Sequence, residues 1–174
     1  VARLHEALLS SEQSDFLESV ETLIMADDTV STFELACLQM VSDRLAPEVT
    51  ETKVDSRSII RAARILANRL AAETRIEGVR AKDVIRQSSL QSPYFMNQLK
   101  PVESISTEDL RESFAVLKHS ALGIRRQFLQ VCERIVAADE KATMNEVELL
   151  RAIAIGLGIP AAPIFPETDS DPLN

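Results

Sequence analysis

The chain is expected to fold as an all-α protein, and three observations carry that expectation. Ala, Leu, Ile, Arg and Glu dominate its 174 residues, while Gly numbers only 4 and Trp is absent, a balance that favours helix over sheet. Apolar residues recur at three- and four-residue spacing, as in Phe128, Val131, Cys132 and Ile135 or Val147, Leu150, Ile153 and Leu157, the stripe of an amphipathic helix. Thr143 is followed three residues on by Glu146, and Ser31 by Glu34. That is the capping-box pattern, in which hydroxyl and carboxylate satisfy helix-start amides reciprocally. A hydrophobic content of 45% is ordinary for a globular protein with a proper core.

The two capping boxes belong to a longer correspondence. An offset of 112 positions lays Phe16 on Phe128, Leu17 on Leu129, Glu21 on Glu133, Ala26-Asp27 on Ala138-Asp139, Glu34 on Glu146, Leu38 on Leu150 and Leu45 on Leu157. Asp28 stands where Glu140 does, and Val30 where Ala142 does. Two related helix–turn–helix units, at about 14–45 and 126–157, are therefore expected. They are read as parts of one helical domain over 1–160, with a Pro-rich acidic tail at 161–174.

Each element has its own signals. Residues 2–9 place Leu4, Leu8 and Leu9 on one side of a short helix that ends at Ser10-Ser11. Ser14 or Asp15 is positioned to cap the next helix, to about Ala26, with Phe16, Val20, Leu23 and Ile24 inward. After the acidic turn from Asp27 to Val30, a helix from Ser31 to about Leu45 turns Leu35, Leu38, Val41 and Leu45 inward, and Pro47 stops it. Asp55 or Ser56 caps a helix from Arg57 to about Glu73 with an apolar side of Ile59, Ile60, Ala63, Leu66, Ala67 and Leu70. A further helix is expected over 76–92, with Ile76, Val79, Val84, Ile85 and Leu90 apolar, ended by Ser92-Pro93. Tyr94-Phe95-Met96 is an aromatic cluster suited to packing between the two units. Ser106 or Thr107, with Glu108 and Asp109 in the first turn, opens a helix to about His119 that uses Leu110, Phe114 and Leu117. The second unit follows, and Pro160, Pro163 and Pro166 prevent helix beyond Gly158.

Charge is distributed unevenly around a net −8. Residues 1–50 carry 2 basic and 10 acidic side chains, residues 51–100 carry 10 and 5, and residues 101–174 carry 7 and 12. An acidic balance argues against general nucleic-acid binding, which needs a surplus of Lys and Arg. Lys53, Arg57, Arg61 and Arg64 recur at helical spacing and form a basic stripe. A solvated helical face, contact with the acidic units, a protein partner and an anionic membrane surface all remain open for Arg57, Arg61 and Arg64. Cys37 and Cys132 sit in apolar patterns and read as two reduced core thiols. No stretch has the length and apolarity of a membrane span, so the chain as given is expected to be soluble. Its start at Val1 rather than Met is read as that of a fragment.

Signals for catalysis are weak. His5-Glu6-Ala7-Leu8-Leu9 opens like a zinc-peptidase HExxH, but Leu9 stands where the second His belongs. His119 has no companion cysteine or recognised acid, and phosphate-cradling glycine loops are absent. The acidic turns are better candidates: Asp27, Asp28 and Glu34, and again Asp139, Glu140 and Glu146, place three carboxylates around a short corner able to hold a hard cation weakly through oxygen. Capping and backbone-bonded turns account for the same residues.

Ala138-Asp139-Glu140 through Glu146, then Glu148-Leu149-Leu150-Arg151 and Gly158-Ile159-Pro160, resemble the TerB-like helical domain, whose pattern is A-D-G-x-[VI]-x-x-x-E followed by L-L-R. Asp28 or Glu140 stands at the family's usual glycine, which makes the turn more acidic and less suited to a left-handed backbone. The double arrangement, Leu23-Ile24-Met25-Ala26-Asp27-Asp28-Thr29-Val30-Ser31-Thr32-Phe33-Glu34 with a later copy ending in L-G-x-P, resembles the C-terminal region of HtpX-like membrane zinc metallopeptidases of family M forty-eight. The resemblance implies a TerB-like bundle at the cytoplasmic side of the bacterial inner membrane, non-catalytic by itself, with regulatory or partner-binding work. It further implies that zinc and the HExxH helix belong to an upstream peptidase domain, the natural partner, and none of those zinc ligands falls on a position of this chain. The alternative is a freestanding TerB-like protein that binds a divalent cation or serves a stress response.

Overall fold

The computed structural model describes residues 10–24, 26, 30–45, 54–74, 78–139 and 143–159. Among them it contains seven α-helices and no strand: α1 (Ser10–Ile24), α2 (Thr32–Leu45), α3 (Ser56–Glu73), α4 (Gly78–Leu90), α5 (Thr107–Lys118), α6 (Leu122–Val136) and α7 (Met144–Gly156), with a 3₁₀ turn at Ala137–Asp139. The all-α expectation holds for these residues. The expected helix at 2–9, the corner residues Asp27, Asp28 and Glu140, Lys53, and the tail at 161–174 lie outside them.

The packing is centred on α3, the basic middle helix, and not on the second unit. Ile59, Ala62, Ala63, Ile65, Leu66, Ala67, Leu70 and Ala71 are all buried, a wider stripe than the expected one, from which Ile60 drops out to half-burial. Four alanines on that stripe leave room for neighbouring helices to approach closely, since interaxial distance is set by the side chains at the contact. α5 packs most extensively against α3, and α6 and α4 also lie on it. α2 and α7, the second helices of the two expected units, pack against each other. Gly156, at the end of α7, permits this approach: a Cβ there would lie 3.3 Å from the Phe114 ring and 3.5 Å from the Ala36 Cα.

The aromatic cluster serves one side of this arrangement. Phe95 is fully buried and meets Phe128 of α6 edge-on at 5.8 Å between ring centroids, with Tyr94 against Phe95 at 5.0 Å. Gln127 Oε1 accepts from the Ser92 hydroxyl and the Tyr94 amide and so ties the turn after α4 to α6. Met96 stays exposed.

Several local readings are corrected. Ser10 and Ser11 are helical, and Ser14 and Asp15 lie inside α1 rather than at its start. Leu23, expected inward, is 76% exposed, and Leu90 is exposed at the end of α4. Cys132 is fully buried, but Cys37 is only half-buried. Each of these positions satisfies the helical period; what differs is whether another element lies over it.

Helix α7 ends as its sequence predicts. Gly158 takes φ +63°, the Gly158 amide donates to Ile155 O at 2.8 Å and the Ile159 amide to Ala154 O at 2.9 Å. These are the paired bonds of a Schellman cap, which needs a left-handed residue where glycine costs least. Arg125 of α6 adds a guanidinium bond to Leu157 O at 2.6 Å, and partial burial lowers its pKa.

Candidate functional site

The acidic corners were the leading sequence candidates, and their described carboxylates are engaged in helix capping. Glu34 Oε2 accepts from the Ser31 amide and hydroxyl, both at 2.8 Å, and the Glu34 amide donates back to Ser31 Oγ at 3.2 Å. Glu146 repeats this with Thr143, at 2.7, 2.8 and 3.3 Å. Bonding to the Ser31 amide, and then to its hydroxyl, holds the Glu34 carboxyl below the usual glutamate range. Asp139 closes the 3₁₀ turn with its backbone. Among the described residues no group of three or more His, Cys, Asp and Glu gathers as a metal site.

The first corner has a support that sequence reading missed. Glu73 Oε1, at the end of α3, accepts from the Thr32 amide at 3.1 Å, the Thr32 hydroxyl at 2.8 Å and Arg69 Nε at 2.7 Å. Arg69 also donates to Val30 O at 3.1 Å. Thr32 is fully buried, so these bonds satisfy donors that would otherwise be stranded. The four-residue spacing of Arg69 and Glu73 was a visible local signal; their reach to a corner some forty residues earlier in the chain had none. In the second unit the position of Thr32 is taken by Met144, which is exposed.

The basic stripe divides by environment. Arg57 is exposed and Arg64 is half-buried. Arg61 pairs with Asp109 of α5 at 3.2 Å. The Asp109 carboxyl lies below its usual range chiefly because the Ser106 hydroxyl and amide donate to it, with Arg61 adding a smaller effect. A surface pair of this kind contributes little to stability, so Arg61 orients α5 on α3 more than it strengthens the fold.

Two concavities flank α2. A cleft of about 350 Å³ lies where α1, α2 and α5 meet, floored by Leu35, Leu38 and Phe114 and crossed by the ion pair of Glu21 with Arg111. A smaller, nearly wholly apolar groove of about 180 Å³ runs between α2 and α7, with Phe33, Cys37, Met40 and Ile155 in its walls and Glu148 paired to Arg151 at 3.1 Å on its rim. Burial, and then Glu34, push the Cys37 thiol up, which keeps it protonated and a poor nucleophile at neutral pH. His119 Nδ1 lies 2.7 Å from Ala115 O at the end of α5, while His5 lies outside the described residues. No described helix is long and apolar enough to cross a membrane. No protein-family model matches the chain, and neither a curated protein nor a solved structure matches it.

Proposed function

We propose that the chain is a non-catalytic, partner-binding module built from two TerB-like helix–turn–helix units, the cytoplasmic extension of an HtpX-like membrane zinc metallopeptidase. The observation that carries the duplication is helix register. Moving α2 (Thr32–Leu45) by 112 positions gives 144–157 against Met144–Gly156 for α7, so the second helices of the two units start in the same register, and residues 10–24, helical throughout, fall on α6 (Leu122–Val136). The reciprocal caps at Ser31 and Thr143 fall at the same offset, and the packing of α2 on α7 gives the two units a common seam. The peptidase's zinc is assigned to no residue here.

Partner binding suits a chain whose described corner carboxylates, Glu34 and Glu146, bond the backbone of their own caps and whose surface keeps an apolar groove between α2 and α7. The assignment is tested by reading the complete open reading frame that encodes the chain. Membrane-spanning segments and an HExxH helix upstream are the expected result. Their absence removes the peptidase reading and leaves the freestanding cation-binding alternative, which calorimetry with calcium, magnesium, zinc and manganese then tests.

A further inference from the structure

Resting on that duplication, we infer that the exposed face of α1 around Ser19 and Leu23 is a docking surface for a cationic amphipathic helix of a partner. The argument starts from α6, whose place in the second unit is that of α1 in the first. In α6, Phe128, Val131, Cys132 and Ile135 are fully buried beneath α3 and α4. The matching positions of α1 carry Phe16, Ser19, Val20 and Leu23; Phe16 and Val20 are half-buried, Ser19 is exposed and Leu23 is 76% exposed. Among the described residues, α3 and α4 pack on α6 and no comparable pair of helices packs on α1, so within them the first unit lacks the layer that the second possesses.

The chemistry of the face selects its occupant. α1 contains Glu12, Asp15, Glu18 and Glu21 and no Lys, Arg or His. Asp15, Glu18, Ser19, Thr22, Leu23 and Ala26 line a shallow surface depression. The Ser19 hydroxyl is spent on Asp15 O and the Thr22 hydroxyl on Glu18 O, both at 2.7 Å. What remains outward is Leu23 with Ala26, edged by the carboxylates of Asp15 and Glu18. A helix that offers an apolar stripe flanked by Lys or Arg complements it, by the groove-and-helix mode in which spaced apolar anchors give affinity and rim charges set orientation. The internal precedent has the same character, since the α3 that covers α6 is itself a basic amphipathic helix.

The test titrates the full chain against a fluorescent peptide of Leu and Lys on helical spacing, with a Leu and Glu peptide as control, and reads anisotropy. Saturable binding of the Leu–Lys peptide alone is expected, about tenfold weaker in Leu23→Asp and in the Asp15→Lys, Glu18→Lys double variant. Met96→Asp, at an exposed apolar residue elsewhere, is expected to bind as the parent does. Circular dichroism establishes that each variant stays folded. The inference is overturned by no saturable binding, by equal binding of both peptides, or by indifference to Leu23→Asp. It is also overturned if sedimentation shows a dimer that Leu23→Asp dissolves, which makes a second copy the occupant, or if phosphatidylglycerol vesicles bind through the same face. Failure here with an HExxH upstream removes only the docking face; binding without one removes only the peptidase assignment.

Discussion

Helices α1 and α6 occupy matching positions at the 112-residue offset, with Phe16, Val20 and Leu23 standing for Phe128, Cys132 and Ile135, yet one is peripheral and the other is core. α6 lies against α3, α4 and α7, whereas α1 packs chiefly on α2 and reaches α5 through Glu21 and Arg111. Phe128 is fully buried and Phe16, its counterpart, is only half-buried. An amphipathic period determines which side of a helix is apolar; the elements available to cover that side determine what its burial contributes. The first unit compensates in part by polar means, through the Thr32, Glu73 and Arg69 cluster, whose Thr32 is replaced by the exposed Met144 in the second unit.

The largest expected effect tests that contrast directly. Phe128→Ala should cost about 3–5 kcal/mol, as for a packed core aromatic, while Phe16→Ala should cost about 1 kcal/mol because its ring is already half in water. Urea unfolding of both variants measures the difference, and equal losses would mean that α1 is as well covered as α6. Next in size, Glu73→Ala strands the buried Thr32 donors and should cost about 2 kcal/mol. Its signature is faster amide hydrogen exchange at the start of α2 with the start of α7 unchanged. Gly158→Ala should cost about 1–2 kcal/mol, because Cβ meets both the positive φ and Arg125 Nη1 at 3.0 Å.

The smallest effect sharpens the likeness of the units. Ser31→Ala and Thr143→Ala should each cost about 1 kcal/mol, the worth of an N-cap hydroxyl, and similar losses are expected. The first cap also carries a pH dependence. Glu34 has a folded pKa below its ordinary 4.5, so its contribution is present above that value and lost as pH falls through the folded pKa. Thermal midpoints taken from neutral pH downward should therefore decline below about pH 4.5, and Ser31→Ala, which removes one of the groups that depress the pKa, should flatten that decline.

Much of this was legible locally. The capping boxes at Ser31 and Thr143, the Asp55 and Ser106 caps, and the Gly158 terminus depend on residues within a few positions of one another, and the structure places them at those helix ends. The Arg57, Arg61 and Arg64 stripe was visible as a period, but the pairing of Arg61 with Asp109 and the half-burial of Arg64 were not. Of the proposed cation set, Glu34 and Glu146 have the capping bonds that their spacing implied, while the side chains of Asp27, Asp28, Asp139 and Glu140 lie outside the described residues.

By itself, then, the sequence determined helix type, most helix ends and which face of each helix is apolar, since periodicity and capping are short-range properties. Only the tertiary structure decided that α3 is the hub, that Leu23 faces water while Ile135 does not, and that Glu73 supports a corner far earlier in the chain. Those outcomes depend on which elements meet in space, and a residue carries no mark of the neighbour that a distant segment will bring to it.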